Sequence, residues 1–129
     1  MRNCIGIDVA KLYFDLHILK TSQDKRMENS TDGIRKCVAV CNKVRPELIV
    51  MEATGGYELS LAVALQTEGF AVAVVNPRRI RDFAKAAGQI AKTDILDARI
   101  IAQFAATMEP MPTEQFSEHT LKLKALVAR

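Results

Sequence analysis

The sequence predicts an α/β protein: a mixed sheet of about five strands with helices flanking it. Three observations lead there. The chain opens with two short segments in which Cys4–Val9 is apolar and Lys11–Leu19 alternates with a period of two, the pattern of an antiparallel pair across a short turn. Beyond them, short apolar runs alternate with stretches of helical spacing, and strand–helix–strand units require parallel strands with right-handed crossovers. Finally, turn residues punctuate these runs: Pro46, Gly55-Gly56, Gly69, Asn76-Pro77 and Gly88.

Taken in order, Cys4 to Val9 is a buried strand, short and β-branched. Leu12, Phe14, Leu16 and Ile18 then fall on one face of a second strand, and Tyr13, Asp15 and His17 on the other. Thr21 to Lys25 reads as a turn, with a short third strand over Arg26 to Asn29. Thr31 is a plausible N-cap for a helix carrying Ile34, Cys37, Val38 and Cys41 and running to about Val44. Glu47 to Glu52 is the next strand, followed by a tight turn at Ala53 to Gly56 and a helix from Glu58 to Glu68. Phe70 to Val75 is another strand. Asn76-Pro77 opens a helix over Arg78 to Ala87, because proline suits a first helical position. Thr93 to Ala106 is a further helix with Leu96, Ile100 and Phe104 as its stripe, and Pro110 and Pro112 mark a linker.

Composition narrows the function classes. The 129 residues are the length of one domain, with 49% hydrophobic and 26% charged residues, a globular balance rather than a disordered one. No apolar run approaches the roughly 18 residues that span a bilayer, so no membrane partner is expected. Asp8 interrupts what would be the core of an export signal, which points to the cytoplasm. The three cysteines form no CxxC pair. Together with His17 and His119 they could be imagined as zinc ligands, but reduced core thiols are the stronger reading. A net charge of +3 permits nucleic-acid binding without arguing for it, and with no Trp and 5% aromatics a base-stacking platform has little to build on.

The acids are more informative. Asp8 and Glu52 each close an apolar strand, and ligand chemistry in open α/β sheets collects at the carboxyl ends of strands. Asp94 and Asp97, three apart at the start of a helix, are expected to project from one face. Two carboxylates about 4 Å apart repel by about 4 kcal/mol at an effective dielectric near 20, so either one pKa rises or a cation binds. Hard oxygen donors without imidazole or thiolate select Mg2+, or Mn2+, and two such ions can clamp the attacking and leaving oxygens of a phosphodiester. Each acid also has an ordinary role open to it: turn residue for Asp8, loop acid for Glu52, complements of a helix dipole for Asp94 and Asp97.

Four segments occur in order: Gly6-Ile7-Asp8-Val9-Ala10-Lys11, Met51-Glu52-Ala53-Thr54-Gly55-Gly56-Tyr57-Glu58, Val75-Asn76-Pro77-Arg78 and Lys92-Thr93-Asp94-Ile95-Leu96-Asp97-Ala98. Together they closely resemble the N-terminal domain of the DEDD-type insertion-sequence transposases, the family that also contains the Piv-type DNA invertases. The resemblance implies a ribonuclease H-like fold of the Holliday-junction resolvase type. It implies that Asp8, Glu52, Asp94 and Asp97 are a catalytic tetrad binding divalent metal. On that reading Asp8 bridges the ions, Glu52 and Asp97 complete their shells and Asp94 assists. DNA is the implied substrate, and an element-encoded guide RNA and a homo-oligomer are implied partners. Residues 1–108 would then form the catalytic domain. Residues 109–129 would be a linker and the start of a helical region leading to a C-terminal domain, carrying a strand-cleaving serine, that this chain lacks.

Other motif residues have two readings each. Lys11 and Lys92 could hold a phosphate or orient a carboxylate, or be solvated lysines. Arg78, Arg79 and Arg81 could bind a backbone phosphate at a helix start, or form an exposed basic face. Tyr57 could stack on nucleic acid, with packing the stronger reading. Three alternatives stand beside the transposase: a resolvase-type structure-specific nuclease, a non-catalytic nucleic-acid-binding or oligomerisation module, and a sugar-kinase or actin-like ATPase. The last is disfavoured because Val9-Ala10-Lys11-Leu12 lacks the glycine-rich phosphate turn.

Overall fold

The structure, a computed structural model, describes residues 2–88 and 96–115. Its five strands are β1 (Cys4–Val9), β2 (Tyr13–Ile18), β3 (Gln23–Glu28), β4 (Leu48–Glu52) and β5 (Val72–Val75). The helices are α1 (Thr31–Val44), α2 (Leu59–Thr67), α3 (Pro77–Ala86) and α4 (Ala98–Met108). The strands lie in the order β3-β2-β1-β4-β5, with β1–β2 and β2–β3 antiparallel and β1–β4 and β4–β5 parallel. The expected mixed five-stranded sheet is present, with β1 at its centre.

Because side chains alternate across a strand, the sheet has two distinct faces. Ile5, Ile7, Val9, Phe14, Leu16, Ile18, Ile49, Met51 and Val72 form one core with Cys37 and Cys41 of α1 and Leu61 and Leu65 of α2. Cys4, Leu48, Val50, Ala73 and Val75 form the other with Ile80 and Ala84 of α3 and Ile100, Ile101 and Phe104 of α4. Fully burying each larger aliphatic side chain is worth about 1.5–3 kcal/mol.

Gly6 decides how α4 sits on the second face. A Cβ there would lie 2.3 Å from both the Ala102 nitrogen and the Ala98 oxygen. The helix backbone therefore rests directly on β1, which only glycine permits.

Several boundaries differ from the sequence expectation. β3 is a full strand in ladder register with all of β2, from Tyr13↔Glu28 to Ile18↔Gln23, where the sequence suggests a turn and a stub. It is an edge strand whose residues are mostly exposed, so its pairing leaves no hydrophobic pattern to read. The N-cap of α1 is Ser30, not Thr31; its hydroxyl accepts from the Gly33 amide at 3.2 Å. Thr113 lies along the outer edge of β5: its amide donates to the Val72 carbonyl at 2.8 Å and its hydroxyl accepts from the Val74 amide at 2.8 Å. Among the described residues no helix is long and apolar enough to cross a membrane.

Candidate functional site

Asp8 and Glu52 come together through sheet register. β1 and β4 run parallel with Ile7 beside Met51, so the next residues, Asp8 and Glu52, are neighbours on the face that carries α3 and α4. Both are half-buried at the carboxyl ends of adjacent central strands. The two carboxyls are close enough to act on each other, so full charge on both is costly. Burial, then the Asp8 charge, push Glu52 up to about 7, while Arg81 of α3 pulls it back. Asp8 is also raised, first by burial, then by the charges of Asp15 and Asp97. Both carboxyls are therefore displaced toward their protonated forms, Glu52 the further of the two.

Asp15 stands directly opposite Asp8 across the β1–β2 pair. It is held by Arg26 of β3, whose Nε and Nη2 donate to its two oxygens at 2.8 and 3.1 Å. This paired geometry offsets part of the Asp15 charge felt by Asp8. The alternation in β2 shows only that Asp15 is off the apolar face. The finer signal is in the sequence, since a hairpin centred between Lys11 and Leu12 pairs position 8 with position 15. Arg26 falls in the short third strand that the sequence suggests, but only the observed register sets it opposite Asp15.

Asp97 enters from α4. The expectation that Asp94 and Asp97 share the first turn of a helix over Thr93 to Ala106 is corrected. The helix starts at Ala98, and Asp97 is its N-cap, extended at φ −121° and ψ 173°. Its Oδ1 accepts from the Ile100 amide at 2.9 Å, so one oxygen is used structurally. The Gly6 contact that seats α4 on β1 brings this cap within electrostatic reach of Asp8. Asp94 and Lys92 lie outside the described residues. Among the described residues no group of three or more His, Cys, Asp or Glu side chains is assembled at metal-binding distance. The contact pair is Asp8 and Glu52, with Asp97 and Asp15 around it.

The donor chemistry of this cluster fits a hard divalent cation: carboxylate oxygens only, two of them repelling enough to retain a proton. The thiols do not belong to it. Cys37 and Cys41 are buried under the opposite face and hydrogen bond to each other, which with burial pushes Cys37 far up. His17 is buried and its Nδ1 lies 2.8 Å from Oδ1 of Asp24 on β3. His119 falls outside the described residues.

The described basic residues come from two places in the fold, the β1–β2 turn and α3. Lys11 is exposed on the β1–β2 turn. Arg78 is exposed at the start of α3, where Asn76 caps its amide at 2.9 Å. Arg79 lies over the Phe104 ring, 5.6 Å from its centroid, and Arg81 is half-buried and acts on Glu52. At this helix start the three arginines have three different surroundings. A groove of about 510 Å³ opens beside the acids, lined by Asp15, Asp24, Lys25, Arg26, Asp97 and Arg99 among others.

Comparison with known proteins identifies the lineage. A transposase family model, of the DEDD IS110 type, matches residues 5–129. Pilin gene-inverting proteins of Moraxella lacunata and Moraxella bovis are each 32% identical over 129 residues, covering 95% of this chain. The chain spans 40% of the length of these relatives. It belongs to the DEDD-type transposase family. Two structures of Thermus thermophilus RuvC, one in complex with a Holliday junction substrate, superpose with TM-scores of 0.59 and 0.60 at 15% and 17% identity. They cover 84% of this chain and 98% of RuvC, and they establish the fold as ribonuclease H-like of the resolvase type.

Proposed function

We propose that this chain is the N-terminal catalytic domain of a DNA transposase or recombinase that cleaves and transfers DNA strands during insertion-sequence mobility. The observation that supports the reading is the placement of Asp8 and Glu52 side by side on adjacent parallel strands, both raised by burial, with Asp97 anchored next to them by the seating of α4 on Gly6. Asp8, Glu52 and Asp97, with Asp94, are the residues proposed to hold Mg2+ or Mn2+. Bound there, the metal would polarise a phosphodiester and favour an ionised nucleophile.

The chain's own residues prepare that chemistry. Glu52 gives up its proton when a cation replaces it, so the pair is poised between protonated and metal-holding states. Arg26 keeps Asp15 ion-paired and outside the ligand set. Asp97 offers its second oxygen while the first caps α4, so ligand position and helix position are set together. Lys11, Arg78, Arg79, Arg81 and Lys92 are the residues proposed for backbone phosphates, with Arg81 also acting on Glu52. The partners proposed from the family are DNA, an element-encoded guide RNA and further copies of the chain, all in the cytoplasm. Residues 1–108 are proposed as the catalytic domain and 109–129 as the passage to a further domain that completes transposition.

Calorimetric titration of Mn2+ and Mg2+ into the protein, alone and with branched or duplex DNA, tests the reading against Asp8→Asn and Asp97→Asn. Saturable binding that Asp8→Asn loses and Asp97→Asn weakens is expected. Absence of binding under every condition would leave a nucleic-acid-binding module as the function of this chain.

A further inference from the structure

We propose that Leu12, Tyr13 and Tyr57 form a stacking rim that holds unpaired nucleobases beside the acidic site. The proposal rests on the reading of that site as one acting on nucleic acid, and it names the form of nucleic acid taken there.

These three side chains are large, apolar in body and exposed: Leu12 by 64%, Tyr13 by 48% and Tyr57 by 49%. Leu12 and Tyr57 sit on the two turns that follow the acid-bearing ends of β1 and β4, and Tyr13 opens β2 beside the first of them. One side chain joins those turns: Asn29 Nδ2 donates to the Ala10 carbonyl at 2.9 Å and to the Tyr57 carbonyl at 3.2 Å, and its amide donates to the Leu12 carbonyl at 2.8 Å. The rim is therefore built and tied down, not a pair of loose loops. Tyr13 begins β2 two residues before Asp15, so it shares the face of the acids, about 7 Å further along the strand. The Arg26 guanidinium lies 5.4 Å from the Tyr13 ring centroid while it grips Asp15. The Tyr13 ring, the Arg26 guanidinium and the Asp15 carboxylate form one chain of contacts that ends at the position paired with Asp8.

The chemistry of the occupant follows. Exposed aromatic faces interleaved with Lys11 and Arg26 suit flat heteroaromatic rings on an anionic backbone. Bases inside a duplex offer no free faces, so the rim selects bases that are unpaired or splayed, at a branch, a flap or a single strand. The scarcity of aromatics does not weaken this, because both tyrosines of the chain stand at this rim.

That coincidence provides the test. With no Trp and two Tyr, the intrinsic fluorescence of the protein comes from Tyr13 and Tyr57. Oligothymidine, oligouridine and a fully paired DNA duplex are titrated into the protein in the presence of a chelator, so that neither metal nor cleavage contributes. Absorbance is corrected with free tyrosine. Quenching by the unpaired oligomers but not by the duplex is expected, and the deoxy and ribo arms show which backbone is preferred. Tyr57→Leu and Tyr13→Leu should each weaken binding about tenfold, and Tyr57→Phe should restore it. Equal affinity for the paired duplex, or Leu variants that bind as tightly as the parent, would overturn the rim. Quenching that follows protein concentration without oligonucleotide would assign the patch to self-association and overturn it as well. None of these outcomes bears on metal binding by Asp8 and Glu52, which is read separately by calorimetry.

Discussion

The two faces of the sheet are built from the same strands and obey opposite rules. Under α1 and α2, every alternate residue from Ile5 to Val9 and from Phe14 to Ile18 is apolar and buried to the ends of the strands. Under α3 and α4 the two central parallel strands are apolar only at their start: Cys4 gives way to Gly6 and Asp8, and Leu48 and Val50 to Glu52. The first face is a stability element. The second gives up apolar burial at its carboxyl end to place carboxylates where they repel one another, and offsets that loss by packing α4 unusually close. Stability and chemistry are separated by one residue of register, so a one-residue slip would exchange them.

This contrast can be broken most severely at Gly6. Gly6→Ala is expected to lose about 3–5 kcal/mol, because the new methyl meets helix backbone that cannot yield. Thermal unfolding measures the loss, and a drop below about 1 kcal/mol would mean that α4 does not bear on β1 as described. On the apolar face, Leu16→Ala should cost about 2–4 kcal/mol while leaving divalent-metal affinity unchanged. On the acidic face, Glu52→Gln should do the reverse.

Glu52 is raised to about 7 from the ordinary 4.5, so the folded protein keeps a proton that the unfolded chain has released. Stability therefore falls as pH rises from about 4.5 to about 7, and the penalty is fully present above that window. A glutamine side chain cannot ionise, so at about pH 8 Glu52→Gln should be more stable than the parent by about 1–2 kcal/mol, a rise of roughly 4 °C or more in Tm. At about pH 4 the two proteins should melt together. The smallest effect is expected at Asp97, where cap and ligand can be separated. Asp97→Asn should keep stability because asparagine caps as well, whereas Asp97→Ala should lose about 1 kcal/mol, and both should weaken metal binding.

The same contrast explains what is legible in the sequence. The apolar face announces itself by alternation, which is why β1, β2, β4 and β5 and the helices between them can be placed within a few residues. Asn76-Pro77 marks the start of α3 because cap and proline chemistry act locally. Asp8 and Glu52 stand out because each ends an apolar run. What cannot be read depends on pairing. β3 buries little beyond part of Met27, so only its hydrogen bonds to β2 make it a strand. The ion pair of Arg26 with Asp15 and the contact of Asp24 with His17 follow from that register and disappear without it. The sequence places the start of α4 too early because the Leu96 stripe continues N-terminal to the Asp97 cap, and a hydrophobic period does not show where a cap interrupts it. Arg79 reads as a free cation in sequence, and only the packing of α3 on α4 lays it over Phe104.

The central claim is that Asp8 and Glu52 exchange a proton for a divalent cation. Its most direct test is calorimetry of Mn2+ binding at about pH 6 in two buffers of different ionisation enthalpy, which counts protons released per ion bound. Release of about one proton by the parent protein, and of close to none by any binding that survives in Glu52→Gln, is the expected result. Binding without proton release, at an affinity that Glu52→Gln leaves unchanged, would contradict the claim and place the metal elsewhere.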